Sequence, residues 1–183
     1  MNSLAELLRR YMNTHHIDSS EQDTVTDYLA FIGKESTCFE RMAGGHVTVS
    51  TWIVNHDYTQ ALLTYHRKLN KWLQLGGHAD GNCNVHAVAL KEAQEESGIL
   101  HFEFVTADIF DVSIHTIPNS CQFHYDVRFL LQALPGSYVK VSDESFDVRW
   151  VLFDDIHLYN NSYEITRMNN KFIKHFLKNI KNL

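Results

Sequence analysis

The segment from Gly76 to Ile99 limits what this chain can fold into more than any other stretch. Val85, Val88 and Ala89 recur at the spacing of a helical stripe, and Glu92 falls on that same stripe. Glu92, Glu95 and Glu96 stand at i, i+3 and i+4, so a helix presents all three carboxylates on one side. Most acidic clusters on helices are solvated faces lying opposite the buried stripe. Here the carboxylates align with it, and like charges at the rim of a covered cleft repel one another and are costly to desolvate. A divalent cation relieves that strain, and Mg²⁺ takes one or two carboxylates while keeping water and phosphate oxygens as its other ligands. Asn84 to Ser97 is therefore predicted as a helix, entered from the Gly76-Gly77 loop and closed by Gly98.

The remaining sequence supplies strands and further helices. Leu4, Leu7, Leu8, Tyr11 and Met12 repeat at helical spacing behind Ser3, with Glu6 placed for a capping box. Val25, Tyr28, Leu29 and Ile32 do the same behind Ser19 and Ser20, with Gly33 as the expected stop. Residues 1-40 thus read as a helical extension and 41-183 as the main domain. The extension is expected either to cover a sheet edge or to form a homodimer interface. Strands are predicted at His46 to Val54, Ala61 to Tyr65, Trp72 to Leu75, Phe102 to His115, Gln122 to Leu134 and Val148 to Phe153. Ile165, Met168, Phe172, Phe176, Leu177 and Ile180 outline a last amphipathic helix. Helices flanking a mostly antiparallel or mixed sheet make an α/β sandwich.

Composition narrows the partners. Twenty-two acidic against sixteen basic residues, a formal net charge of -6, argue against holding nucleic acid through its phosphates. Three cysteines, Cys38, Cys83 and Cys121, form no close pair and fit reduced thiols and a cytoplasmic location. The amino-terminal stretch is interrupted by charge every few residues, so no membrane association is expected.

The run GGHADGNCNVHAVALKEAQEESGI resembles the box of the Nudix hydrolases: Gly, five residues, Glu, seven residues, Arg-Glu, an aliphatic, any residue, Glu-Glu, any residue, Gly and an aliphatic. Gly77, Glu92, Glu95, Glu96, Gly98 and Ile99 match in one register, and Ala93 is an acceptable aliphatic. Cys83 stands where the family has its first Glu, and Lys91 where it has Arg. Cys83 is expected to be a small buried apolar residue. The resemblance implies an α/β/α sandwich with a mixed sheet and metal-dependent hydrolysis of a diphosphate in a nucleoside diphosphate derivative or related small molecule. By position, Glu92 and Glu96 are the main Mg²⁺ ligands, Glu95 a further ligand or orienting carboxylate, and the Gly77 carbonyl completes the set. Mn²⁺ is also compatible. The two departures keep open a second reading, a nucleotide-binding module of the same fold that does not cleave.

Beyond the box, a turn centred on Asn119-Ser120 sets His115 opposite His124, Ser113 opposite Asp126 and Asp111 opposite Arg128. This polar row is expected to be a solvated sheet face, with His78, His124, Asp126 and Arg128 as candidate substrate contacts. Glu144, ahead of Arg149-Trp150-Val151, sits where some members of the family carry a catalytic base, with His78 and His124 as rivals.

Lys91 keeps the family's positive charge but lacks the planar fork that grips a carboxylate twice. Lys91→Arg is expected to hold or raise the turnover of the best diphosphate substrate in a steady-state assay. A large loss in the folded variant would assign Lys91 a separate role.

Overall fold

In a computed structural model of the chain, residues 3–14, 17–41, 44–116 and 122–178 are described. The chain divides into two compact units, Met1–Ser50 with Gly76–Glu92 and Thr106–Phe129, and Thr51–Leu75 with Ala93–Val105 and Leu130–Leu183.

The first unit begins with two helices. In α1 (Leu4–Met12) the Ser3 side chain accepts from the Glu6 amide and the Glu6 carboxylate accepts from the Ser3 amide, the reciprocal cap that the spacing predicts. Helix α2 (Ser19–Lys34) starts one residue earlier than its serines suggest, because Asp18 caps it through the Glu21 amide. Gly33 does not stop it; the helix runs through Lys34 and Glu35 is its carboxy-terminal cap. The Tyr11 hydroxyl donates to the buried Glu21 carboxylate at 2.6 Å and so joins the two helices. Tyr28 then donates to the Tyr125 carbonyl at 2.6 Å, and Phe31 stacks flat on the Tyr125 ring.

Strands β1 (His46–Val54) as far as Ser50, β4 (Leu75–His78) from Gly76, β6 (Asp111–Thr116) and β7 (Phe123–Ala133) as far as Phe129 also belong to this unit. The β6–β7 register is the one expected: Asp111 faces Arg128, Ser113 faces Asp126 and His115 faces His124. Its turn, Pro118-Asn119-Ser120, lies outside the described residues. The expectation of a solvated polar face is corrected, since Asp111, Asp126 and Arg128 are all buried. Arg128 donates from Nε to Asp126 at 2.7 Å and from Nη1 to Asp111 at 3.0 Å. Thr48 and Ser50 on β1 each donate to the Asp126 Oδ1 at 2.9 Å. Charges survive burial where partners and hydrogen bonds replace water, and this row supplies both.

In the second unit, β2 (Gln60–His66) pairs antiparallel with β1 across an Asn55 turn, where the Asn55 carboxamide oxygen accepts from the Thr59 and Gln60 amides. It also pairs with β3 (Lys71–Leu73) and with β8 (Ser145–Leu152). The strand predicted from Phe102 to His115 is two strands, β5 (Phe102–Phe104) against the end of β7 and β6 against its start. Between them the chain loops out: the Thr106 hydroxyl accepts from the Asp108 amide, and Arg10 of α1 bonds the Asp108 carboxylate. The strand predicted at Trp72 to Leu75 likewise resolves into β3 and β4. After a short 3₁₀ turn (Phe153–Asp155) and α4 (Ile156–Tyr159) comes α5 (Tyr163–Lys171), which continues as a wider π-helical stretch, Phe172–Leu177. The single amphipathic helix predicted there therefore changes its winding, and Ile180 lies outside the described residues. Ile165, Met168 and Phe172 are buried, with Phe153 packed against Phe172.

The strand order is β3-β2-β1-β7-β5, with β4 on β1, β6 on β7 and β8 on β2. No described helix is long and apolar enough to cross a membrane.

Arg128→Leu leaves two buried carboxylates without their shared cation. Urea unfolding is expected to report a loss of about 3–5 kcal/mol. A loss under about 1 kcal/mol, the range of exposed ion pairs, would mean that water reaches the network.

Candidate active site

Helix α3 (Val85–Ser97) carries the carboxylates, and its position follows from the residues before it. At Gly76 an added Cβ would lie 2.5 Å from the Ser50 Cα, and at Gly77 it would lie 2.3 Å from the Glu92 Oε2. At Gly76 only glycine lets the β4 backbone approach β1 this closely, whereas at Gly77 the obstacle is the end of the Glu92 side chain. The loop then turns at Asp80 and Gly81, both at positive φ, with the Asp80 carboxylate gripped at two points by Arg41. Arg41 holds that carboxylate below its usual range, chiefly through its hydrogen bond. The Asn84 side chain accepts from the Ala87 amide and starts α3. Gly98, at φ +70, ends it, and the Lys140 amide caps the Ser97 carbonyl at 2.7 Å.

The stripe on α3 is buried as its spacing predicts: Val85, Val88, Ala89 and Ala93 are covered. Glu96 joins them at 5% exposure and the Glu92 side chain is 13% exposed, whereas Glu95 is exposed. The three carboxylates are thus split by the helix, two on the covered side and one at its solvent edge. Lys91 Nζ donates to Glu92 Oε1 at 3.1 Å. Two carboxylates on successive turns, one in contact with a glycine backbone, form an oxygen donor set suited to a hard divalent cation. Cys83, expected to be buried, is exposed instead, because it lies in a polar loop between Asn82 and Asn84.

Among the other predicted site residues, His78 and His124 come together, with ring centroids 5.2 Å apart. A residue that sequence reasoning missed joins them: His46, at the start of β1, has its ring 5.0 Å from His78 and 4.7 Å from His124. In the sequence it is one of twelve histidines, a count that singles out none of them. Burial, and then the neighbouring rings of His115, His46 and His78, push the His124 pKa down to about 4. Asp126 and Arg128, expected to touch substrate, are engaged by each other and by Thr48, Ser50 and Asp111. Glu144 is exposed in the turn before β8, where its carbonyl accepts from the Arg67 amide at 3.0 Å and its charge is felt by His66.

No protein-family model matches the chain, and no curated protein matches it either. Solved structures do. A Nudix-family hydrolase from Clostridium perfringens is 20% identical, with a TM-score of 0.58 over 70% of this chain and 96% of that one. A C. elegans Ap4A hydrolase is 17% identical, with a TM-score of 0.64 over 73% and 98%. The Nudix domain of Shewanella oneidensis NrtR, solved with ADP ribose, is 13% identical, with a TM-score of 0.54 over 79% and 96%. At these identities the likeness is one of fold: a mixed sheet with helices, the α/β/α sandwich.

A methyl group at position 77 would have to displace the end of the Glu92 side chain, which is flexible, and no backbone. Gly77→Ala is therefore expected to fold normally by circular dichroism, and any Mg²⁺ affinity that calorimetry finds in the parent should fall about 10- to 100-fold, the size of effect typical when a ligand's orientation is lost. Unchanged Mg²⁺ affinity would separate Glu92 from the cation.

Proposed function

We propose that this chain, which has the Nudix fold, hydrolyses the diphosphate linkage of a nucleoside diphosphate derivative or related small molecule, using a divalent cation held on α3. One observation carries the reading: Glu92 and Glu96 lie one turn apart on the covered side of α3, and Glu92 touches the Gly77 backbone. Two largely covered carboxylates one turn apart offer the oxygen donors that Mg²⁺ or Mn²⁺ takes.

In this reading Glu92 and Glu96 hold the cation, the Gly77 carbonyl adds a ligand, and Glu95 at the solvent edge serves as a further ligand or orients the water. Lys91 steadies Glu92 through their ion pair. The bound cation would supply neutralisation of the bridging phosphates. Water attacks phosphorus, and the bond between phosphorus and the bridging oxygen breaks. Glu144 is proposed as the base on position, with His78 and His124 as rivals; His124, with its pKa near 4, is neutral at pH 7 but weakly basic. The net charge of -6 suits a small substrate whose charge is met locally, not a nucleic acid. ADP ribose and Ap4A, named for two of the solved neighbours, are the first compounds to try. Nucleoside diphosphate sugars and nucleoside triphosphates come next.

A second reading, nucleotide binding without cleavage, draws on Cys83, which puts an exposed thiol where the Nudix box has a carboxylate. The two readings part in a Mg²⁺ and Mn²⁺ screen of these compounds, with released phosphate detected after phosphatase coupling. Glu96→Gln preserves shape and removes charge, so turnover should fall by roughly a hundredfold or more with the fold intact. Parent-like turnover in that variant would overturn the metal assignment, and binding without turnover in the parent would favour the second reading.

A further inference from the structure

We propose that His46, His78 and His124 form a site for a transition-metal ion of the zinc class, distinct from the carboxylate set on α3. One ligand nitrogen from each ring lies within 4.8 Å of the others. Zinc bound at about 2.0–2.1 Å holds imidazole nitrogens roughly 3.4 Å apart in a tetrahedron. The ligand atoms therefore stand at most about 1.4 Å wider apart than a bound zinc would hold them.

The three rings do not sit on loops. His46 opens β1, His78 ends β4 and His124 lies near the start of β7, and the sheet order pairs both β4 and β7 with β1. The Ala79 amide donates to the Val47 carbonyl, one residue past each of the first two histidines, and so holds that pair. Ligands carried on paired strands keep their geometry better than ligands on loops.

The chemistry of the cluster selects the metal. Three imidazoles and no carboxylate make a poor site for Mg²⁺ or Ca²⁺, which want oxygen, and a good one for Zn²⁺, Co²⁺ or Ni²⁺. His46 is 1% exposed, while His78 and His124 are part-exposed, so a metal here would have three protein ligands and a side open to water. His124 Nε2 is buried and has no hydrogen-bond partner among the described residues. A buried polar atom left in that state is costly, and an ion is one of the few things that satisfies it. His115 stands beside His124 at 5.4 Å between ring centroids, its Nδ1 within 3.4 Å of the Ser113 hydroxyl, and so lines the wall of the site.

The ordinary alternative is a packed histidine cluster with no ligand. Direct metal binding separates the two, and it does so whether or not the chain hydrolyses anything. The full chain is freed of metal with a chelator and dialysed against Co²⁺ in excess Mg²⁺, with bound cobalt measured by elemental analysis and by its visible d–d bands. About one Co²⁺ per chain is expected, with nitrogen-type bands. His46→Gln, His124→Asn and His78→Gln, checked for folding by circular dichroism, should each weaken binding by at least about tenfold, because each removes one of three ligands. Zn²⁺ should raise the thermal midpoint of the parent and not of these variants. The Glu92→Gln/Glu96→Gln double variant should keep its cobalt. No cobalt retained by the parent would overturn the proposal. So would equal retention in the folded histidine variants, or loss of cobalt in the carboxylate double variant alone.

Discussion

Asp126 accepts side-chain hydrogen bonds from Thr48, Ser50 and Arg128 in a place that water does not reach. Through them it fastens β1 to β7, and Arg128 carries the fastening on to Asp111 of β6. His46, His124 and His115 lie on these same three strands, a few residues toward one end. Hydrophobic packing alone tolerates small slides of one strand past another. A guanidinium shared by two carboxylates does not, since a slide by one residue would leave charge buried without a partner.

The same logic explains the carboxylate helix. An ordinary amphipathic helix separates its charges from its apolar side, and among its three carboxylates α3 does so only for Glu95. Glu92 and Glu96 stay on the covered side with Val88, Ala89 and Ala93. Departures from local rules concentrate where function requires them. Gly77 within β4 makes the departure workable by letting the backbone come against the Glu92 carboxylate.

Elements ruled by local chemistry were legible in the sequence. The Ser3–Glu6 cap, the Asn84–Gly98 limits of α3 and the β6–β7 register follow from neighbours a few residues apart, and each stands in the structure. What depended on the other side of a surface was not legible. Alternation along β6 and β7 marks two faces, but it could not say that Thr48 and Ser50 would cover the polar one. Gly33 was read as a stop because glycine often ends helices; nothing local shows that the backbone there stays helical to Lys34. His46 escaped notice because only the pairing of β4 and β7 with β1 sets it beside His78 and His124. The widening of the last helix at Phe172 lies in its backbone bonding, which the apolar positions Ile165, Met168 and Phe172, set at ordinary helical spacing, do not report.

The contact between α2 and Tyr125 ties the beginning of the sequence to a strand much further along it. Tyr28 occupies the Tyr125 carbonyl, and Phe31 covers the ring beside it. A protease or a gene truncation that removed these helices would strip an acceptor of its donor and bare an aromatic face next to His124. An apolar surface uncovered in that way invites contact with another molecule. What α2 lends β7 is therefore cover for one ring and a donor for one carbonyl.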